Sequence, residues 1–191
     1  LKESRPRQEI AAFDKPLLEA GGALLSARAE LCLDLKPRVA TALRAISGGS
    51  EALEMIYQPG VEAGFPKALL ASRDDEMRLR TTLVGPHRDD IEILLDGRHA
   101  ASFASEGQQR SVALAMKLGQ ASRLEETSAV PPIFLIDDVF GELDPTRRNH
   151  LLAALPSSAQ KLVTATTLDW MESSAEVSQY VLENGKLERK D

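Results

Sequence analysis

The chain has 191 residues, of which 43% are apolar and 27% charged, enough for one ordinary soluble domain with a core of its own. Its net charge is −6, so charge alone gives no reason to expect non-specific nucleic-acid binding. No apolar run approaches membrane-spanning length, no signal peptide is expected, and no repeat or low-complexity segment is visible.

The chain opens on Leu1 rather than Met, which suggests a piece of a longer protein. From residue 8 to about 46, Ile10, Phe13, Leu17, Leu18, Leu24, Leu25, Leu31, Leu33 and Leu35 recur at roughly helical spacing. Asp14 is placed to cap a helix starting near Lys15-Pro16, and Pro37 is expected to break it, with a second helix running on to Ile46. Cys32 is the single cysteine. That excludes an internal disulfide and fits a reducing cytosol. Ser47-Gly48-Gly49-Ser50 reads as a loop, Leu53 to Tyr57 as a short strand ended by Pro59-Gly60, and Pro66 to about Arg80 as a helix. Nothing in this part carries chemistry.

Thr81 to Val84 reads as a strand ended by Gly85-Pro86. Ile91 to Leu95 and Arg98 to Ser102 flank Asp96-Gly97, a two-residue hairpin turn. Between them His87-Arg88-Asp89-Asp90 is a polar knot. It suits an Arg–Asp network that fixes the turn better than metal ligation, since His99 and His150 are not at ligand spacing to it. Ser105-Glu106-Gly107-Gln108 then opens a helix reaching about Glu126. Ser105 is the N-cap and Gln108 completes a capping box. The bare N–H groups and partial positive charge of a helix start suit an anion, and Gly107 leaves the backbone approachable. An ordinary capped helix has the same pattern.

Pro131-Pro132 precedes Ile133-Phe134-Leu135-Ile136-Asp137-Asp138. Four apolar residues without alternation predict a strand buried on both faces, as in a parallel sheet. Carboxylates at the end of such a strand lie where open α/β sheets bind ligands. Asp137 would hold Mg²⁺ and Asp138 would orient or deprotonate a water; a buried strand ending in a solvated acidic turn fits as well. Asp144-Pro145 begins a further helix, with Arg147 and Arg148 predicted outward and Leu151, Leu152 and Leu155 inward. Lys161 to Thr167 predicts another buried strand with a polar end at Thr166-Thr167. Tyr180 to Glu183 and Lys186 to Glu188 pair around Asn184-Gly185, and the last three residues are expected to fray.

Taken in order, Gly85-Pro86-His87-Arg88-Asp89-Asp90, Ser105 to Arg110, Leu135 to Val139 with Glu142-Leu143-Asp144, and Thr164 to Thr167 resemble the C-terminal half of an ABC-type ATPase head. Within that superfamily they are most similar to the RecF family of bacterial DNA-repair proteins. The resemblance covers roughly residues 76 to 170. It implies an α/β fold of mostly parallel buried strands flanked by helices over residues 76–191, with a lid-like helical arm over residues 1–75. Asp137 would be the Walker B metal carboxylate, and Asp138 would stand where most such ATPases carry a catalytic glutamate, which fits slow hydrolysis. Ser105, Gly107 and Gln108 would form the signature that meets the γ-phosphate held by a second subunit. Asp144 would be the D-loop aspartate, and Thr167, or else Thr166, would replace the switch histidine. Glu106 departs from the usual glycine and puts a carboxylate beside an anion site, so its side chain must point away or form a salt bridge.

The cofactors implied are ATP and Mg²⁺. The partners implied are DNA, both single-stranded and at duplex junctions, an ATP-dependent second copy, and recombination mediator proteins, all in the cytoplasm. The implied roles are recombinational repair, replication-fork maintenance and the SOS response, with weak DNA-dependent ATPase activity in the full-length protein. No Gly-x-x-x-x-Gly-Lys-[Ser/Thr] loop occurs in the chain, so it lacks a cradle for the β-phosphate and by itself should be inactive. Two other readings fit the residues: a structural SMC-like head, and a metal-dependent nuclease built on Asp89, Asp90, Asp137 and Asp138.

Overall fold

The computed structural model describes residues 11–61, 64–128, 130–168, 171 and 177–190, with the backbone alone at 141 and 142. The expected helical positions 8–10, Ile10 among them, and the terminal Asp191 lie outside these residues.

A single helix, α1 (Asp14–Ser47), forms the spine. Pro37 sits inside it and does not break it. An interior proline costs about 3 kcal/mol. Val39, Leu43 and Ile46, all on the stretch after it, are fully buried, and each such side chain contributes about 1.5–3 kcal/mol. Packing therefore outweighs the lost hydrogen bond and the helix continues. Asp14 does not cap it: the N-cap is Phe13, with no side-chain bond. Asp14 lies in the first turn and pairs with Arg73 of the next helix. Gly48 closes α1 in the left-handed conformation.

Strand β1 (Leu53–Gln58) follows, then α2 (Phe65–Leu79). Residues 81–84 form no strand. The buried Glu76 accepts hydrogen bonds from the backbone N–H groups of Leu83 (2.8 Å) and Val84 (3.4 Å). Those donors thus serve a side chain instead of a neighbouring strand. A 3₁₀ turn (Pro86–Arg88) leads to β2 (Asp90–Leu95), which pairs antiparallel with β1, Leu53 opposite Leu95. Asp96 and Gly97 both have positive φ, as a tight hairpin turn requires. The second arm is shorter than expected: β3 is only Arg98–His99, and Ala100–Phe103 coils into α3. The segments on either side of residue 75 thus share one three-stranded sheet, in the order β1-β2-β3.

Helix α4 (Glu106–Ser128) lies along α1, and Val112 and Ala115 join the α1 residues in one core. The two helices pack tightly at Gly119, where a Cβ would come 2.8 Å from Val39 Cγ2. Exposed pairs link the far ends, Arg38 to Glu126 at 2.5 Å and Arg123 to Asp34 at 2.6 Å. Such pairs set register more than stability.

Strand β4 (Phe134–Asp137) pairs parallel with β5 (Lys161–Thr164), Asp137 opposite Thr164. The parallel pair flanked by helices agrees with the expected fold class, but neither strand is buried on both faces. Ile136 packs against the core while Leu135 is 77% exposed; Leu162 and Val163 of β5 are exposed as well. Among the described residues this sheet has two strands, and no layer covers its outer face. A one-turn helix, α5 (Val139–Glu142), and α6 (Pro145–Ala154) follow β4. Phe140 and Leu143 are buried, as are Leu151 and Leu155, but Leu152 is partly exposed and Arg147 turns inward rather than outward. The chain ends in a hairpin of β6 (Gln179–Glu183) and β7 (Lys186–Lys190) around Asn184-Gly185. Pairing runs through Lys190, so the expected fraying does not reach it.

Candidate functional site

The acidic turn is built on the parallel pair. Because β4 and β5 run side by side, their carboxyl ends coincide, and Asp137, Asp138 and Thr164 gather at one edge; Thr166 and Thr167 follow β5 in the chain. Thr164 holds the turn in two ways. Its hydroxyl donates to Asp137 Oδ1. The N–H of Asp138 donates to the Thr164 carbonyl at 3.1 Å and lies 3.2 Å from Thr164 Oγ1. Asp138 has φ 50°, left-handed for a residue with a side chain, a conformation that collects at functional sites and persists where the surroundings impose it. Here they do. Two residues on, Phe140 has no exposed surface, and Leu143 is buried beyond it.

The Asp138 carboxylate forms no cap hydrogen bond. Asp137 keeps one oxygen clear of protein hydrogen bonds among the described residues. Two open carboxylates suit Mg²⁺, which is commonly held by one or two carboxylates and completed by waters and substrate phosphates. No cluster of three or more acidic, His or Cys ligands exists among the described residues, so those residues offer no cage of their own for a metal.

The start of α4 is a reciprocal capping box. The Ser105 N–H donates to Gln108 Oε1 at 2.9 Å, and the Gln108 N–H donates to Ser105 Oγ at 3.3 Å. Glu106 is drawn aside by Arg110, one turn on, at 2.7 Å, so its carboxylate does not confront an anion at the helix start. Nothing lies within 4 Å of a Cβ built on Gly107, which leaves that face of the turn open.

Asp144 caps α6: its Oδ1 accepts from the N–H groups of Thr146 and Arg147, both at 3.0 Å. Arg147 then reaches back across the fold. Its Nη2 donates to Glu51 Oε1 at 2.6 Å, and its Nη1 donates to Ser111 Oγ and, at 3.5 Å, to the Gly107 carbonyl. Its Nε lies 3.4 Å from Asp144 Oδ2. Arg147, Glu51, Ser111 and Thr164 were not among the predicted site residues. Thr164 stands two positions before the predicted polar end of its strand, and Arg147 stands three residues after a predicted cap; those spacings were the available signals.

The His87 to Asp90 knot is a structural network. Asp89 is 3% exposed and accepts from Arg28 Nη1 (2.8 Å), Tyr57 Oη (2.7 Å) and the Gly60 N–H (3.0 Å). The arginine of the network is Arg28 from α1, which also donates to the Pro86 carbonyl. Burial pushes the Asp89 carboxyl up, but the three donors and the Arg28 charge outweigh it and hold it below the usual carboxylate range. Tyr57 is pushed up to about 12, by burial first and then by Asp89, so it stays a donor. Asp90 Oδ1 accepts from the Ile91 N–H. Asp89 has no open oxygen to offer a metal, which tells against a nuclease centred on it.

No family model matches the chain. The protein named DNA replication and repair protein RecF of Synechococcus sp. (strain JA-3-3Ab) is 40% identical over 172 residues, covering 84% of this chain and 45% of that protein. The protein of the same name from Moorella thermoacetica is 40% identical over 169 residues, covering 87% of this chain and 45% of the relative. That from Anaeromyxobacter sp. is 38% identical over 200 residues, covering 97% and 54%. Among solved structures, "the recombination mediator protein RecF-ATPrS in RecFOR pathway" matches with TM-score 0.80 at 28% identity, over 98% of this chain and 52% of that one. The corresponding RecF-ATP structure matches with TM-score 0.77, over 94% and 50%. This chain spans about half the length of the relatives it matches. By sequence over most of its length, and by fold, it is homologous to RecF, and it has the fold of part of a RecF ABC-type ATPase head.

Proposed function

We propose that the chain works as the C-terminal half of an ATP-dependent DNA-binding head acting in recombinational repair, replication-fork maintenance and the SOS response. The observation that carries this reading is the pairing of an open acidic turn at the carboxyl end of a parallel sheet with a capped, unobstructed helix start. Both occur in a fold whose solved neighbours are described as RecF with ATP or an ATP analogue. Asp137 would hold Mg²⁺ and Asp138 would position the attacking water. Thr167, with Thr166 as the alternative, would hydrogen-bond the phosphate or that water. Ser105, Gly107 and Gln108 would meet the γ-phosphate bound by a second copy, with Asp144 at the same interface. The bound metal would neutralise charge on the phosphates; the chain's own groups supply orientation.

The arm, residues 1–75, would pass movement to the head half, residues 76–191, through β1, which pairs with β2. Dimerisation on ATP would clamp single-stranded DNA or duplex junctions, slow hydrolysis would release them, and recombination mediator proteins would be the partners, in the cytoplasm. The uncovered apolar face of β4 and β5 supports the reading, because a patch of that kind marks an interaction surface and the chain has half the length of its relatives.

The test is made on the intact protein. Asp138→Asn should bind ATP normally, lose most hydrolysis and form longer-lived dimers, whereas Asp137→Ala should weaken Mg·ATP binding itself. Ser105→Arg should bind ATP in one head but fail to dimerise. Wild-type turnover in Asp138→Asn, or ATP-dependent dimers of Ser105→Arg in sedimentation, would refute the assignment.

A further inference from the structure

We infer that Arg147 is a positioning residue that fixes the first turn of α4 and the Asp144 cap as one rigid unit, and that Glu51 holds it from the α1 side. This inference rests on the function proposed above, in which both elements face a second copy. Three separate stretches of chain meet on this one guanidinium. Glu51 lies between the end of α1 and β1, Gly107 and Ser111 lie in the first turns of α4, and Asp144 opens α6. Each arginine nitrogen is committed: Nη2 to Glu51, Nη1 to Ser111 and Gly107, Nε to Asp144. A planar fork with five donors can do this; the three donors of a lysine ammonium all leave one nitrogen on a flexible stem and cannot span these separate acceptors.

The node is enclosed. Glu51 is 6% exposed, Ser111 has no exposed surface, and Arg147 keeps 21%. Glu51 Oε2 is buried with no hydrogen-bond partner. A buried ion pair is poor evidence for stability, since well-packed apolar residues often do as well in its place. What apolar residues would not supply is direction. The Arg147 bond to the Gly107 carbonyl and to Ser111, whose hydroxyl itself donates to that carbonyl at 2.9 Å, sets the turn whose open face lies at Gly107. The Nε contact keeps the second oxygen of Asp144 toward Arg147 while the first caps α6. Loosening Arg147 would free the signature turn and the D-loop aspartate from each other and leave the acidic turn at Asp137, held by Thr164, in place.

The experiment uses the intact protein with Arg147→Lys, Glu51→Gln, and Ser105→Arg as reference. ATP binding by single heads is measured at low protein concentration, ATP-dependent dimerisation by sedimentation across concentrations, and folding by melting temperature. Arg147→Lys keeps the charge beside Glu51 and should bind ATP like wild type, with its melting temperature lowered by only a few degrees. Its dimer should weaken by about tenfold, because the loosened turn and cap must be ordered again when the second copy docks. Glu51→Gln should weaken the dimer less, and the double variant should be no worse than Arg147→Lys alone, because both act through one residue.

If Arg147→Lys dimerises like wild type while Ser105→Arg does not, the positioning role is overturned and the functional reading stands. If Ser105→Arg also dimerises, both fall. Parallel losses of melting temperature, ATP binding and dimerisation in Arg147→Lys would show a merely structural residue and overturn the inference. Should Arg147→Lys not fold, Glu51→Gln decides: an unchanged dimer overturns it, and a weaker dimer at unchanged melting temperature supports it.

Discussion

Replacing Asp89 by asparagine tests the network that joins α1, β1 and the turn before β2. The substitution keeps size and removes charge. In the native chain one carboxylate oxygen accepts from the Gly60 N–H and the other from Arg28 and Tyr57. An amide can present oxygen on one side only, so its NH₂ must face either the Gly60 N–H or the Arg28 guanidinium. One buried donor is then left without an acceptor, at a cost of about 1–3 kcal/mol. Arg28 is 42% exposed, so the lost ion pair is screened and adds about 1 kcal/mol or less. A total near 3 kcal/mol should lower the melting temperature by about 6–12 °C for a domain of this size. The effect also has a pH signature. The Asp89 carboxyl is held below its ordinary value, so its contribution is fully present above the unfolded carboxylate pKa of about 4 and is lost as pH falls through the lower, folded value. The gap between wild type and Asp89→Asn should therefore be widest at neutral pH and close in acid. Circular-dichroism melts at pH 7 and at steps down to pH 3 measure it. Equal melting at pH 7, or a gap that does not shrink in acid, would refute the reasoning.

Mg·ATP titrated calorimetrically into the chain alone should give no saturable micromolar binding, since the phosphate cradle is absent from its 191 residues; micromolar affinity would contradict the half-head reading. Leu135→Glu should change the stability of the chain alone by about 0.5 kcal/mol or less, because the side chain is already 77% exposed. In the intact protein the same change should be strongly destabilising, and equal melting of the two intact forms would mean that nothing covers this sheet face. Gly119→Ala should destabilise by about 1–3 kcal/mol in urea unfolding, since the new methyl meets the Val39 side chain and backbone. A neutral result would show that α1 and α4 separate easily.

The sequence by itself determined the features whose signals act within a turn of the chain. Ser105 and Gln108 cap each other across three residues, Asp144-Pro145 starts α6, and Asp96-Gly97 and Asn184-Gly185 turn their hairpins. In each case local backbone geometry admits few other residues. The order of these signals along the chain was enough to suggest the fold class and the RecF resemblance. Tertiary structure alone decided the rest. Arg147 and Glu51 are 96 residues apart, and Arg28 and Asp89 are 61 apart. A charged residue carries no periodic pattern that says whether it faces water or a distant partner, so Arg147 read as outward and Arg88 was taken for the arginine of the knot. Pro37 read as a break because propensity is local, whereas the burial of Val39, Leu43 and Ile46 that carries the helix past it depends on α4 lying alongside. The apolar run before Asp137 named a strand correctly but not its surroundings. Whether Leu135 is buried depends on what lies over the sheet, and in this chain nothing among the described residues does.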